Sequence, residues 1–344
     1  MVKLFLTGAT GYIGGDAFCA LNQAHPDWEY SVLIRTQDKA DKVKAQYPKV
    51  RVVIGDLDDS DTIKEEASKA DIVLHTADAS DHEGSARAIT AGLAAGHTSS
   101  KPGFWLHTGG TGILMYSDES SNRLGEWDEK QFNDWDGVEE LTSLPDKAFH
   151  RIVDKIVLEA GTKHGDVVKT ALVCPPTIYG KGRGPVWGRS RQAYELGSQI
   201  LKHGFAPVVG KGKARWNSVH VHDLSDAFVL LAEAAVSGNL SEELWGAKGY
   251  FLAENGEFVW TELSKLMAKK AYEAGYLKEE PKEKQLSKDE AFELADYNAV
   301  TWGLNSRGKA ERLRKVLGWK PHRQSIEDEV PEILKSEKAL LEKN

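Results

Sequence analysis

The stretch Leu4-Phe5-Leu6-Thr7-Gly8-Ala9-Thr10-Gly11-Tyr12-Ile13-Gly14-Gly15 reads as a buried strand running into a glycine turn and then a helix. Each glycine meets a separate demand. Gly8 lets the chain turn sharply after the strand, Gly11 lets the backbone approach a pyrophosphate, and Gly14 lets the new helix pack closely on the strand. Phosphate charge would then sit at the positive end of that helix. The spacing is GxxGxxG rather than GxGxxG, so position carries the reading. A second apolar run, Tyr30-Ser31-Val32-Leu33-Ile34, arrives where it closes a βαβ unit. Thr7, Gly8, Thr10, Gly11, Tyr12, Ile13 and Gly14 are therefore expected to cradle a dinucleotide, a ligand-free glycine turn being the alternative.

Working outward, apolar runs recur at 3–6, 30–34, 50–54, 72–75, 104–107 and 167–173, and helical patterns at 86–95 and 150–160 separate the later ones. Strands alternating with helices predict an α/β fold, a doubly wound parallel sheet with ligands at the strand carboxyl ends. After Cys174, Pro175-Pro176 and the glycines at 180, 182, 184 and 188 break the rhythm. The expected division is a dinucleotide-binding domain over 1–174, re-entered at about 216–250, and a smaller substrate lobe from 175–215 and 251–344.

The 344 residues suit one large α/β unit or two intimate lobes. A net charge of −8 without a basic cluster argues against nucleic acid or an anionic membrane as partner, leaving a small-molecule substrate, with a homodimer open. Two cysteines, Cys19 and Cys174, make a disulfide framework unexpected. With no charged leader before the first strand, a cytoplasmic location is the expectation. Residues 117–147 hold ten Asp or Glu against three Lys or Arg, together with Trp127 and Trp135. The segment reads as a solvated acidic loop, or as a lid over the site.

The residue after the second strand is Arg35, with Lys39 one turn further and Asp38 the only nearby carboxylate. An NAD site offers Asp or Glu to the ribose hydroxyls there, whereas a cation suits the 2′-phosphate of NADP. NADP (NADPH) is the expected cofactor and NAD the alternative. Asp56 and Leu57 after the third strand are expected at the adenine, and Thr76 and Ala77 after the fourth beside the cofactor backbone.

Together these motifs resemble the extended short-chain dehydrogenase/reductase family, also described as NAD-dependent epimerase/dehydratase. Beyond the glycine turn, the resemblance rests on Cys174-Pro175-Pro176-Thr177-Ile178-Tyr179-Gly180, on Val219-His220-Val221-His222-Asp223-Leu224 and on Leu317-Gly318-Trp319-Lys320-Pro321. It implies a Rossmann-type domain, cofactor contacts at Pro175, Thr177 and Ile178, and a Ser/Thr, Tyr, Lys catalytic set. In that set Tyr exchanges a proton with the substrate, and Lys binds the ribose and lowers the Tyr pKa.

Mapped onto this chain, Lys155 takes the lysine position, but Arg151 stands four residues earlier where Tyr belongs, and Gly109 stands at the usual Ser, flanked by Thr108 and Thr111. Arginine does not give up a proton at accessible pH and is expected to pair with Asp154 or the acidic segment. His150, Tyr179 and Tyr116 are the side-chain candidates for the missing acid. In a regular helix His150 would lie roughly 140° around from Lys155 unless the helix begins late. His220 and His222 share a predicted strand face without a third ligand, so no metal is expected. The leading expectation is an NADP(H)-dependent oxidoreductase acting on a small, apolar or aromatic carbonyl or alcohol. The alternatives are a sugar-nucleotide epimerase or dehydratase with retained NAD and a non-catalytic NADP-binding regulator.

Overall fold

The computed structural model describes residues 1–343. Its first half alternates strands β1 (Lys3–Thr7), β2 (Glu29–Ile34), β3 (Arg51–Ile54), β4 (Ile72–His75) and β5 (Gly103–Thr108) with helices α1 (Tyr12–Ala24), α2 (Gln37–Gln46), α3 (Ser60–Lys69) and α4 (Glu83–Gly96). Val168–Cys174 and Tyr250–Leu252 complete a seven-stranded, all-parallel sheet. Its order is 250–252, 168–174, β5, β4, β1, β2, β3. Strands β4 and β5 are buried at every residue, because helices cover both faces of a parallel sheet. The helices α3, α4 and Arg151–Lys163 pack together, and Val221–Val236 packs on α1.

All six strands expected from the apolar runs are present. The seventh, only three residues long, carries too little periodicity to be read from sequence. The chain leaves β1 toward β2 and β3, then returns on its other side through β4. The crevice at the carboxyl ends of β1 and β4 is the switch point where such sheets bind ligands.

Buried apolar side chains fall into two clusters, one around the large sheet and one containing Tyr194, Trp216, Trp260, Met267, Trp302 and Ile333. Arg215–His220, expected to rejoin the first unit, instead pairs with Thr177–Tyr179 and Glu257–Val259 in a separate three-stranded sheet. The helix that follows does return to the large core through Leu224, Phe228 and Leu231. So do Ala310, Leu313 and Trp319 near the C-terminus.

The acidic segment is neither a free solvated loop nor a lid. Phe132–Asn133 pairs with Gly308–Lys309. The buried Asp134 carboxylate accepts from the backbone N–H groups of Leu252 (2.9 Å), Glu311 (2.8 Å) and Arg312 (2.9 Å). Asp118 accepts from the backbone and side chain of Asn305. Asp118 and Asp134 work as internal acceptors and make the segment a strap sewn to residues 305–312, while Glu119, Glu129, Asp136, Glu139, Glu140 and Asp146 stay exposed. Both cysteines are free and buried. No helix among the described residues is long and apolar enough to cross a membrane.

Candidate functional site

The glycine turn is built as the packing requires. Gly8 has φ +90°, a conformation that favours glycine. A Cβ on Gly14 would fall on Thr76 Oγ1 and on the Gly8 carbonyl. Helix α1 therefore starts hard against the β1–β4 crevice. Gly11 caps it with no side-chain hydrogen bond, and no acidic residue occupies the first turn. The first N–H groups of the helix have no side-chain acceptor, and a dinucleotide pyrophosphate fits that end by charge and by space. Thr7 is spent on the fold: its hydroxyl contacts His75 Nδ1 at 2.6 Å, and His75 Nε2 meets Ser85 Oγ at 3.0 Å. Burial pushes the His75 pKa down to about 3, so the ring is neutral.

A cleft of about 720 Å³ runs from this turn. Gly11, Tyr12, Ile13, Gly14 and Thr76 line one end, with Pro175 and Ile178 nearby. Thr108, Thr111 and His150 line it further along. Gly8, Thr10, Ala77 and the buried Thr177 lie outside its lining. So do Arg35, Lys39, Asp56 and Leu57, which follow β2 and β3. Ile34 pairs with Ile54, setting Arg35 beside Gly55. Arg35 is exposed and makes no hydrogen bond or ion pair with any described residue, while Asp38 is ion-paired to Lys42 at 2.9 Å. The Asp56 carboxylate accepts from the Asp58 backbone at 3.0 Å, and Leu57 packs partly on the core.

Two expected catalytic residues are not delivered to the cleft. Lys155 points outward, its Nζ held by both oxygens of Asp146 at 2.8 and 2.9 Å. Tyr179 is fully buried and donates its hydroxyl to the Gln324 carbonyl at 2.5 Å. Arg151 forms no ion pair with Asp154; it donates to the Thr142 carbonyl of the acidic segment. The helix begins at Arg151 and packs so that Lys155 turns toward solvent. Arg151 and Asp154 are buried along it, and His150 stands one turn before Asp154, whereas Lys155 is partly exposed.

His150 sits at φ +68° and meets Asp81 Oδ1 through Nδ1 at 2.8 Å. Burial pushes the Asp81 carboxyl up, but the hydrogen bond and charge of His150 hold it below its ordinary value. A Cβ on Gly110 or Gly112 would stand 3.2 or 3.3 Å from His150 Nε2. Asp154 Oδ1 lies 3.2 Å from where a Cβ on Gly109 would be, and Cys174 Sγ 2.9 Å, so the usual serine position is already filled from below. Burial raises the Asp154 pKa to about 7, and its Oδ2 accepts from the Tyr250 hydroxyl at 3.2 Å. Thr108 has a buried hydroxyl without a partner, whereas Thr111 Oγ1 is engaged by Ser306 at 3.0 Å.

Sequence reasoning missed Asp81, which lies in no recognisable motif and reaches His150 only through the fold. His220 and His222 do not share a strand face. His220 ends its strand and caps the next helix by accepting from the His222 N–H.

The NAD(P)H-binding family profile matches residues 8–135. Oxidase ucsJ of an Acremonium species is 40% identical over 345 residues, covering 97% of both chains. Among solved structures, the PbgP3 protein of Burkholderia pseudomallei is 15% identical with a TM-score of 0.69, covering 99% of this chain and 98% of that one. The dTDP-glucose 4,6-dehydratase DesIV of Streptomyces venezuelae, with NAD and TYD bound, is 16% identical with a TM-score of 0.66, covering 97% and 96%. The glycine turn, the parallel sheet and these likenesses agree on an NAD(P)-binding fold of the oxidoreductase type, and the chain belongs to the extended short-chain dehydrogenase/reductase family.

Proposed function

We propose that this protein is an NADP(H)-dependent oxidoreductase that interconverts a carbonyl and an alcohol on a small apolar or aromatic molecule in the cytoplasm. The observation that carries the reading is Arg35: a guanidinium just after β2, without a partner among the described residues, with the one neighbouring carboxylate, Asp38, paired to Lys42. Guanidinium pairs bidentately with phosphate, and a 2′-phosphate is what separates NADP from NAD. When bound, the nicotinamide supplies or accepts a hydride. The glycine turn and the N-terminus of α1 hold the pyrophosphate, and Arg35 holds the 2′-phosphate. Phe149, Trp187, Trp216 and Tyr297 line the cleft and favour an apolar or aromatic substrate over a sugar nucleotide. Two free, buried cysteines suit a reducing compartment.

The test is cofactor preference. Arg35→Ala is expected to weaken NADPH binding by about 1.5 to 3 kcal/mol while leaving NADH binding nearly unchanged. Equal weakening of both removes the 2′-phosphate role. A second reading, a non-catalytic NADP-binding regulator, is favoured by the absence of Lys155 and of any tyrosine from the expected catalytic positions. Micromolar NADPH binding without oxidation by any member of an aldehyde and ketone panel would select it.

A further inference from the structure

We propose that His150 is the acid and base of this cleft, held in orientation by Asp81; the assignment rests on the oxidoreductase reading. A non-glycine residue in the left-handed region is strained and persists only where its surroundings hold it. Here the holding is explicit. The Phe149 ring lies against the imidazole at 3.8 Å between centroids. Asp81 takes Nδ1 and is itself fixed. Its N–H and that of His82 both donate to the Asp78 carbonyl, Asp78 also has positive φ, and Ser80 Oγ donates to Asp81 Oδ2 at 3.2 Å.

A residue at the start of a helix ordinarily uses its side chain to cap the first N–H groups. His150 makes no such bond. Its ring is turned instead toward Asp81 and the glycine segment. With Nδ1 committed, Nε2 is the open nitrogen, and Gly110 and Gly112 leave no side chain in front of it. Both glycines and His150 line the cleft that begins at the glycine turn.

The charged or titratable groups facing the ring are Asp81 from the β4–α4 loop, Asp154 one turn along its own helix, Arg151 beside it, and the buried His107 of β5. Burial, followed by the charges of His75 and His150, keeps His107 well below the ordinary imidazole value, so it adds no competing cation. This is the arrangement of an imidazole held by a carboxylate on one nitrogen while the other is left to meet substrate.

In the reductive direction the carbonyl carbon takes a hydride from the reduced nicotinamide dinucleotide. The C=O π pair moves onto oxygen, and oxygen takes the proton from His150 Nε2. The imidazole is left neutral with its Nδ1–H still on ionised Asp81, and solvent returns the proton. Alcohol oxidation runs the same transfers backward. His150 is then the catalytic residue and Asp81 a positioning residue.

The variant that tests this is His150→Gly. Glycine prefers the conformation found at this position, so the turn is kept while a ring-sized space opens opposite Gly110 and Gly112. NADPH binding, followed by fluorescence, is expected to match wild type. NADPH-linked reduction of nitrobenzaldehyde and naphthaldehyde is expected to fall by about 10²- to 10⁴-fold. Added imidazole should restore turnover saturably, in proportion to its protonated fraction. Asp81→Asn should lower kcat less and shift its pH profile, with no rescue by imidazole. A His150→Gly variant as fast as wild type, or a loss that imidazole leaves unrepaired, overturns the assignment while the oxidoreductase reading stands. Wild-type protein that oxidises no NADPH with either aldehyde overturns both.

Discussion

At the level of single residues, environment decides what a side chain can do. Lys155 occupies the family's lysine position in the chain, yet its ammonium ends on an exposed carboxylate, with 40% of the lysine side chain and 69% of the Asp146 side chain open to solvent. Exposed pairs of this kind contribute little. Lys155→Ala is therefore expected to change NADPH affinity and turnover by less than about twofold, as a titration and a steady-state assay would show. A tenfold loss would mean the helix turns differently when the dinucleotide is bound. Asp154, one residue earlier, is the reverse case: fully buried, its Oδ1 lacks a partner and its pKa is pushed up to about 7 by burial. Between the ordinary 3.8 and about 7 the folded state holds a proton that the unfolded state releases. The contribution of Asp154 to stability is thus complete below pH 3.8 and is lost as pH rises through 7, with a slope of at most about 1.4 kcal/mol per pH unit. Asp154→Asn should remove that dependence. Denaturation at a series of pH values should show the variant gaining on wild type from pH 4 to 7, and parallel curves would refute the buried, protonated carboxyl.

At the level of elements, two boundaries control the site. One is the start of α1, where Gly14 sits against Thr76 and the Gly8 carbonyl. Gly14→Ala must push helix from strand or shift the turn, at a cost on the order of 1–3 kcal/mol, and should impair dinucleotide binding beyond what the loss of stability explains. Melting temperature and NADPH titration together check this. The other boundary is the start of the Arg151–Lys163 helix. One residue of helical phase is about 100°, so the packing that buries Arg151 and Asp154 turns Lys155 outward, and the left-handed backbone just before the helix aims His150 at Asp81. The glycine turn was legible because its residue types are nearly the only ones that fit. The helix start was not, since His150 carries no capping bond and its left-handed backbone is fixed by Asp81 and Phe149 from elsewhere.

Across the whole molecule, the acidic strap joins parts of the chain that sequence keeps apart. Asp134 satisfies the N–H of the seventh strand at Leu252 and those of Glu311 and Arg312. Asp134→Ala leaves three backbone donors without an acceptor, each costing about 1–3 kcal/mol. A loss of at least 3 kcal/mol is expected in denaturant unfolding, and a loss below 1 kcal/mol would show that water reaches these groups. Composition alone pointed to a solvated acidic loop or a lid because it records charge without partners.

The sequence by itself determined the alternation of strand and helix, the dinucleotide turn and the cation after β2, since each depends on neighbours within a few residues. Tertiary structure alone decided which side chains meet in the cleft. Asp81 and His150 are 69 positions apart, and Lys155 and Tyr179 are drawn off by Asp146 and Gln324. The physical reason is that helical phase and long-range hydrogen bonds, which direct these side chains, are settled only when the elements pack.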